Sequence, residues 1–349
     1  MNAFAQLVTS KVSLNTLFSW TRLVGEKPFS RDLLKLDCAP EAERICGVIR
    51  QEVLRRFKKK GVIVGLSGGI DSSAVVALAV RALGKERVLA LLMPEKDSSA
   101  ETLELSKLMA HHLGIKAIHE DISSILEAAG CYRRRDDAIR LVVPEYGPGW
   151  KSKLVLPSVV DSHNYRIFSI VAQSPAGEQT ARALSLEAFL GIVAATNFKQ
   201  RTRKMLEYYH ADRLNCAVAG TPNRLEYDQG FFVKLGDGAA DLKPIAHLYK
   251  TQVYQLAEYL GVPEAILSRP PTTDTYSLPQ TQEEFYFCLP YETMDLVLYG
   301  KCNGYSPLEI SQELGLEPEQ VERVFRDIEA KRRVAQYLHA PAVLVEDIN

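Results

Sequence analysis

Ser67-Gly68-Gly69-Ile70-Asp71-Ser72-Ser73 follows a short apolar run and precedes a helical one. Residues of these types in this order suit an anion. Glycines let the backbone approach closely and adopt angles closed to other residues. The hydroxyls and amides of Ser67, Ser72 and Ser73 can then surround phosphate oxygens at a helix N-terminus. The pattern G-x-x-x-x-G-K-[ST] does not occur, so transfer of a γ-phosphate is not indicated. Asp71 inside the loop would repel phosphate, a conflict that a Mg²⁺ held between carboxylate and phosphate resolves. A plain glycine–serine turn capped by Asp71 explains a bare Gly-Gly pair, but poorly explains seven such residues between a strand and a helix.

A second cluster reads Gly220-Thr221-Pro222-Asn223-Arg224-Leu225-Glu226, followed by a stretch holding Phe231, Lys234, Asp237 and Asp241. Glu226 can supply a second carboxylate for Mg²⁺. Lys234, Asp237 and Asp241 can orient a polar substrate beside the Phe231 ring. Lys250 opens a helix, where its charge works against the dipole, so a bound anion explains it better than helix stability. Each residue also has an ordinary reading alone: a core phenylalanine, a solvated face for Arg201 and Arg203, a surface lysine.

The elements that must position these residues alternate. Residues 41–58 carry Ile45, Val48, Ile49, Val53 and Leu54 at helical spacing. Residues 62–66 and 88–92 read as buried parallel strands, and 116–118 as a third. Helices are expected after Asp71 as far as Gly84, over 102–113, near 199–212 and over 250–260, with a strand at 216–219. Helices at 307–314 and 318–337 end the chain. This alternation predicts an α/β fold, a doubly wound parallel sheet flanked by helices. Residues 1–40 form an N-terminal extension containing Trp20, either an extra helix or an arm on a partner. Within a main domain of 41–340, residues 130–190 read as an irregular insertion with a hairpin, holding Arg133-Arg134-Arg135 and a Gly-Pro-Gly turn at 147–149.

The loop string resembles that of the N-type ATP pyrophosphatases, which cleave ATP between its α- and β-phosphates. With Gly220–Glu226, Gly230–Asp241, Lys250 and Pro270-Pro271-Thr272-Thr273-Asp274, the chain resembles NAD synthetases over roughly 41–125 and 195–335. The resemblance implies an adenine nucleotide α-hydrolase-like fold and amidation of nicotinic acid adenine dinucleotide through an acyl-adenylate, releasing AMP and pyrophosphate. It puts Ser67, Gly68, Gly69, Asp71, Ser72, Ser73, Thr221, Lys250 and Thr272 on ATP and pyrophosphate, with Asp71 and Glu226 on Mg²⁺. Asp71 and Lys250 would carry the chemistry. Arg201, Phe231, Lys234, Asp237 and Asp241 would face the dinucleotide, and a homodimer would complete that site. With only 40 residues ahead of the core, no glutaminase domain is expected, so free ammonia or a separate glutaminase would supply nitrogen.

The chain departs from the family pattern at 280–291, QTQEEFYFCLPY, where Phe285, Tyr286 and Phe287 replace an acidic stretch. Ala330 stands where the family has histidine before Lys331-Arg332, and 130–190 is long. These departures leave open a relative that adenylates and amidates another carboxylate. A passive ATP-binding module is disfavoured by Asp71 and Glu226. A tRNA thiolase is disfavoured by the lack of paired cysteines.

Residues 306–328 scan like helix-turn-helix, with basic Arg323, Arg326, Lys331, Arg332 and Arg333 in or just after them. However, 349 residues with 46% hydrophobic, 24% charged and a net charge of -1 advertise no nucleic acid. The six cysteines are scattered, and no stretch has the length of a membrane span. The N-terminal residues lack a signal-peptide pattern, so a cytoplasmic protein is expected.

Overall fold

The computed structural model describes residues 28–157, 159, 168–273, 275–346 and 348. Trp20, most of the expected N-terminal extension, Tyr165-Arg166-Ile167 and Asp274 lie outside them. Among the described residues, four parallel strands form the central sheet: β1 (Val62–Gly65), β2 (Val88–Leu92), β3 (Lys116–His119) and β7 (Ala217–Ala219), in the order β3-β2-β1-β7. Three antiparallel strands, β4 (Lys151–Val155), β5 (Ser169–Gln173) and β6 (Gln179–Ala183), make a separate sheet.

Both faces of the parallel sheet are covered, which explains the continuous apolar runs of its strands. Val62, Val64, Ala90 and Ala219 face α1 (Cys38–Arg50), α2 (Ile70–Leu83), α3 (Ala100–His112) and α8 (Lys250–Tyr259). Ile63, Leu89, Leu91 and Val218 face α4 (Ser123–Ala128), α5 (Cys131–Arg140) and α6 (Leu186–Leu214). The doubly wound expectation is met. Helix α1 buries Ala42, Ile45, Cys46 and Ile49 and passes into a wider turn over 51–56 that buries Val53. Val48, expected on that face, is half exposed because the stripe runs through Ala42 and Cys46 instead.

Helix α6 corrects the sequence reading most. It runs 29 residues, from inside the expected insertion to Leu214, rather than starting near 199. Its partners change along its length. Ala188 and Ile192 pack with α5 and the small sheet, whereas Ala211 packs under the parallel sheet. No single apolar stripe runs its whole length, so the periodicity that reveals a helix is diluted. The other described residues of 130–190 are likewise more regular than expected: α5 holds Arg133-Arg134-Arg135, and three antiparallel strands among them replace a lone hairpin.

Beyond β7 come α7 (Arg224–Gln229), α8, α9 (Glu264–Leu267), α10 (Tyr291–Cys302), α11 (Pro307–Leu314) and α12 (Pro318–His339). Met294, Val297, Leu298, Ile310, Val321, Val324 and Ile328 bind the last three into one apolar cluster, joined by Phe29 and Leu34. The described part of the N-terminal extension thus packs on its own chain. Gln255 Oε1 accepts from the Leu36 amide at 2.8 Å, and its Nε2 donates to the Leu34 carbonyl at 3.1 Å. The basic residues of the helix-turn-helix reading turn inward in part. Lys331 pairs with Asp327 at 2.7 Å, and Arg332 with Asp228 at 2.7 Å.

Candidate active site

The Ser67–Ser73 loop joins the C-terminal end of β1 to the start of α2. Gly68 has φ +67°, and a Cβ there would meet Leu105 Cβ and the Thr102 carbonyl at 2.8 Å, so strain and space both demand glycine. Ser106 Oγ donates to the Leu66 carbonyl at 3.0 Å and pins the loop to α3. Ser72 Oγ lies 3.2 Å from Ser67 Oγ and donates to the Gly69 carbonyl at 3.0 Å. Gly69, at the N-cap of α2, has no side chain to satisfy the first helical amides. Those amides are the donors a helix start offers to an anion.

Three charged groups converge beside this loop. Lys250, the first residue of α8, is 2% exposed, and its ammonium pairs with Asp71 Oδ2. Asn223 Nδ2 donates to Asp71 Oδ1 at 3.0 Å. Asn223 also caps α7, where its side chain and that of Glu226 exchange hydrogen bonds with each other's amides at 3.2 Å. The second Glu226 oxygen accepts from Gln282 Nε2 at 3.0 Å. Burial, and then the neighbouring Asp71, push the Glu226 carboxyl up to about 8. Burial opposes the Lys250 charge, but Asp71 and Glu226 more than offset it and hold the ammonium above the usual lysine range.

Asp295 of α10 places Lys250. Its Oδ1 accepts from the Lys250 amide at 3.2 Å and its Oδ2 from the Thr251 amide at 2.7 Å and hydroxyl at 2.8 Å. A carboxylate at a helix start suits the dipole that Lys250 opposes, although burial lifts this carboxyl to about 7.

One pocket joins these groups. Ser67, Gly69, Asp71, Ser72, Thr221, Glu226, Asp237, Lys250 and Thr272 all line it. Gly68 and Ser73 support the loop from behind, and Ser73 is fully buried. The other residues expected on the dinucleotide lie apart from the pocket wall. The Arg201 Nε donates to the Lys234 carbonyl at 3.3 Å, and Lys234 Nζ donates to the Tyr337 and Ala340 carbonyls at 2.8 and 3.0 Å. Asp241 Oδ2 accepts from the Val218 amide at 2.7 Å, holding the end of the sheet. Phe231 stacks on Tyr286, with centroids 4.7 Å apart, and meets Phe285 and Phe287 around it.

Sequence reasoning missed a second wall. Gln200, Arg203, Lys204 and Glu207 come from consecutive turns of α6, and Arg269 and Gln282 from the segment opposite. The spacing of 200, 203, 204 and 207 is one helix face, a signal present within the helix expected near 199–212, but the sequence does not say which face of that helix meets the loop. Arg269 Nη2 donates to Thr102 Oγ1 at 2.9 Å. Behind this wall Lys199, 0% exposed, donates to Glu95 at 2.8 Å, Asp97 at 2.7 Å and the Thr275 carbonyl at 2.6 Å.

A parallel sheet ending in a glycine–serine loop, with carboxylates and a buried lysine converging at a helix start, defines an α/β protein of the adenine nucleotide α-hydrolase-like class. The model of the NAD synthase family matches residues 41–142 and 156–335. The chain belongs to the NAD synthase family. A relative from Rhizobium meliloti (strain 1021), named NH(3)-dependent NAD(+) synthetase, is 59% identical over 320 residues, covering 92% of this chain and 96% of that protein. A relative of the same name from Thermotoga maritima is 36% identical, covering 81% of this chain and 92% of that one. The NH3-dependent NAD synthetase structure from Campylobacter jejuni aligns with TM-score 0.57 at 24% identity, covering 89% of this chain and all of that one. The NMN synthetase structure from Francisella tularensis gives 0.62 at 21% identity, covering 88% and 98%. At those identities the two structures speak for the fold alone.

Proposed function

We propose that this chain is an ATP-dependent ligase forming a C–N bond, which amidates nicotinic acid adenine dinucleotide to NAD with ammonia. The observation that carries the proposal is the single pocket in which the Ser67–Ser72 loop meets Asp71, Glu226 and Lys250, in a chain of this family. A substrate carboxylate oxygen attacks the α-phosphorus of ATP, the acyl-adenylate forms, and pyrophosphate leaves. The open amides and serine hydroxyls of the loop hold the pyrophosphate. Lys250 neutralises charge as it develops on the phosphates. Ammonia then attacks the acyl carbon and AMP departs. Most of the acceleration comes from positioning.

Asp71 and Glu226 fit a Mg²⁺ ion. Two carboxylates meet on one pocket wall, and burial beside Asp71 leaves Glu226 poorly ionised until a cation joins it. Hard oxygen ligands shared with phosphate suit Mg²⁺. When bound, the ion supplies charge neutralisation on the phosphates.

Thr221 and Thr272 are proposed to contact ATP, with Gly68 and Ser73 shaping its loop. Arg201, Phe231, Lys234 and Asp241 are proposed to meet the far half of the dinucleotide, beyond the pocket mouth, and Asp237 to meet its reacting end. A homodimer completes that surface. Leu186, Leu190, Met205 and Tyr209 are 54–73% exposed along one side of α6, as two apolar pairs with Arg201 between them. Among the described residues no helix is long and apolar enough to cross a membrane, and a cytoplasmic location is proposed. Free ammonia, or ammonia from a separate glutaminase, is the proposed nitrogen source.

Exchange of labelled pyrophosphate into ATP tests the first step. Exchange that requires the dinucleotide and is lost in Asp71→Ala is expected. Exchange that ignores the dinucleotide would point to another carboxylate.

A further inference from the structure

Lys204 and Glu207 lie one turn apart on α6 and both line the pocket, although they are only 5% and 6% exposed. Lys204 Nζ donates to Glu207 Oε2 at 2.6 Å. The other oxygen, Oε1, accepts no hydrogen bond from the described residues. It occupies a notch left by Gly65 at the end of β1, where a Cβ would come within 2.8 Å of it. One carboxylate oxygen is therefore held by the lysine, and the other stands beside a strand end that carries no side chain.

The two flanks of the pocket differ in kind. On one side stand the apolar Leu103 of α3, Ile266, Pro270 and Pro271, beside the cation Arg269; on the other stand Arg203, Lys204, Glu207 and Asp237. An apolar flank suits a purine ring. On the ligase reading, the charged flank is the one left for the reacting carboxyl group and the incoming nitrogen.

Amide formation needs a place for a proton. Attack by ammonia on the acyl-adenylate forms the C–N bond and leaves the nitrogen one proton in excess. Loss of that proton and breakage of the C–O bond to phosphate yield the amide and AMP. We propose, resting on the ligase reading above, that Glu207 is the catalytic residue that accepts this proton at Oε1, and that Lys204 is the positioning residue that orients it through Oε2.

The charges facing Glu207 are Lys204 and Arg203 from its own helix and Asp237 from the loop after α7. Lys243, which faces Lys204 and Asp237, is the next cation out. Burial raises the Glu207 carboxyl above the usual range against the pull of Lys204, and Asp237 raises it further. Such a carboxylate holds a captured proton better than an exposed one.

Glu207→Gln keeps the shape and removes the base, so the two half-reactions should separate. Dinucleotide-dependent pyrophosphate exchange is expected to stay at the wild-type level, while NAD formation from ammonium falls at least about a hundredfold. Equal loss of both half-reactions would overturn the proposal and leave the pair a structural or adenylating one, and so would NAD formation that stays unchanged. The wild-type protein gives a second measurement that does not depend on the variant folding. With neutral ammonia held constant, NAD formation should decline on the acid side where exchange does not, and parallel profiles would overturn the proposal. A wild type that exchanges no pyrophosphate would sink the ligase reading and the proposal with it, a result distinct from either of the others.

Discussion

Lys250 and Asp71 are 179 positions apart in the chain and share one buried ion pair. The pair ties the start of α8 to the first turn of α2, the two helix ends beside the Ser67–Ser73 loop. Asp295 holds the amides behind Lys250, and Asn223 holds the far oxygen of Asp71 at 3.0 Å. The lysine is therefore already oriented, and in its proposed role it would need little rearrangement as phosphate charge develops beside it.

Lys250→Met tests that role. It keeps the length of the side chain and removes the charge, so adenylation should slow by about 10²- to 10³-fold. Dinucleotide-dependent pyrophosphate exchange measures it. A variant within twofold of wild type would show that Lys250 serves the fold rather than the phosphates.

The buried carboxyls fix a pH dependence of stability. Glu226 at about 8 and Asp295 at about 7 lie above the ordinary range in the folded protein, against roughly 4 in an unfolded chain. The folded state thus binds more protons across that window, and stability falls as pH rises from about 4 to about 8. Urea unfolding at several pH values should show that slope, shallower in Glu226→Gln. Mg²⁺ should recover more stability at pH 8 than at pH 5, because the ion binds the ionised pair. Equal slopes for the variant and the wild type would contradict the assignment.

Lys199 joins three walls of the pocket, since Glu95 and Asp97 follow β2, Lys199 sits on α6, and Thr275 lies in the segment after Thr272. Lys199→Met would leave the buried Glu95 without its cation and Asp97 with Arg135 alone, at a cost of about 3–5 kcal/mol. Chemical denaturation monitored by circular dichroism reads this directly. A loss below about 1 kcal/mol would mean that the cluster is as weak as an exposed salt bridge.

The exposed apolar pairs of α6 predict association. Leu190→Glu and Met205→Glu place charge on an exposed apolar face and should leave the fold intact while shifting the sedimentation profile from dimer to monomer. NAD formation should fall with the dimer if a second subunit completes the dinucleotide site. A wild type that sediments as a monomer at assay concentration would remove this part of the account.

The Ser67–Ser73 loop was legible because its pattern is local: seven consecutive residues carry the glycines, the hydroxyls and the helix start. Strands β1 and β2 were legible for a similar reason, being apolar runs bounded by turns. Lys250 and Glu226 were singled out by type and position, yet nothing in the sequence brings Lys250 to Asp71. That meeting depends on the crossing of α2 and α8. The charged wall of Gln200, Arg203, Lys204 and Glu207 lies within the helix expected near 199–212, but only the fold shows which face of that helix turns to the Ser67–Ser73 loop. Arg201 and Lys234 were read one by one, and only the fold shows that Arg201 reaches the Lys234 carbonyl while Lys234 reaches the end of α12. Ser73 looks like its neighbours in sequence but points into the core, because a helix turns each successive side chain by about 100°.

Product accounting tests the central claim most directly. The protein is incubated with ATP, Mg²⁺, ammonium and nicotinic acid adenine dinucleotide, and NAD, AMP and pyrophosphate are quantified together. The account predicts equal amounts of all three, abolished in Asp71→Ala. ATP hydrolysed to ADP and phosphate, or AMP and pyrophosphate released without NAD from a folded protein, would contradict it.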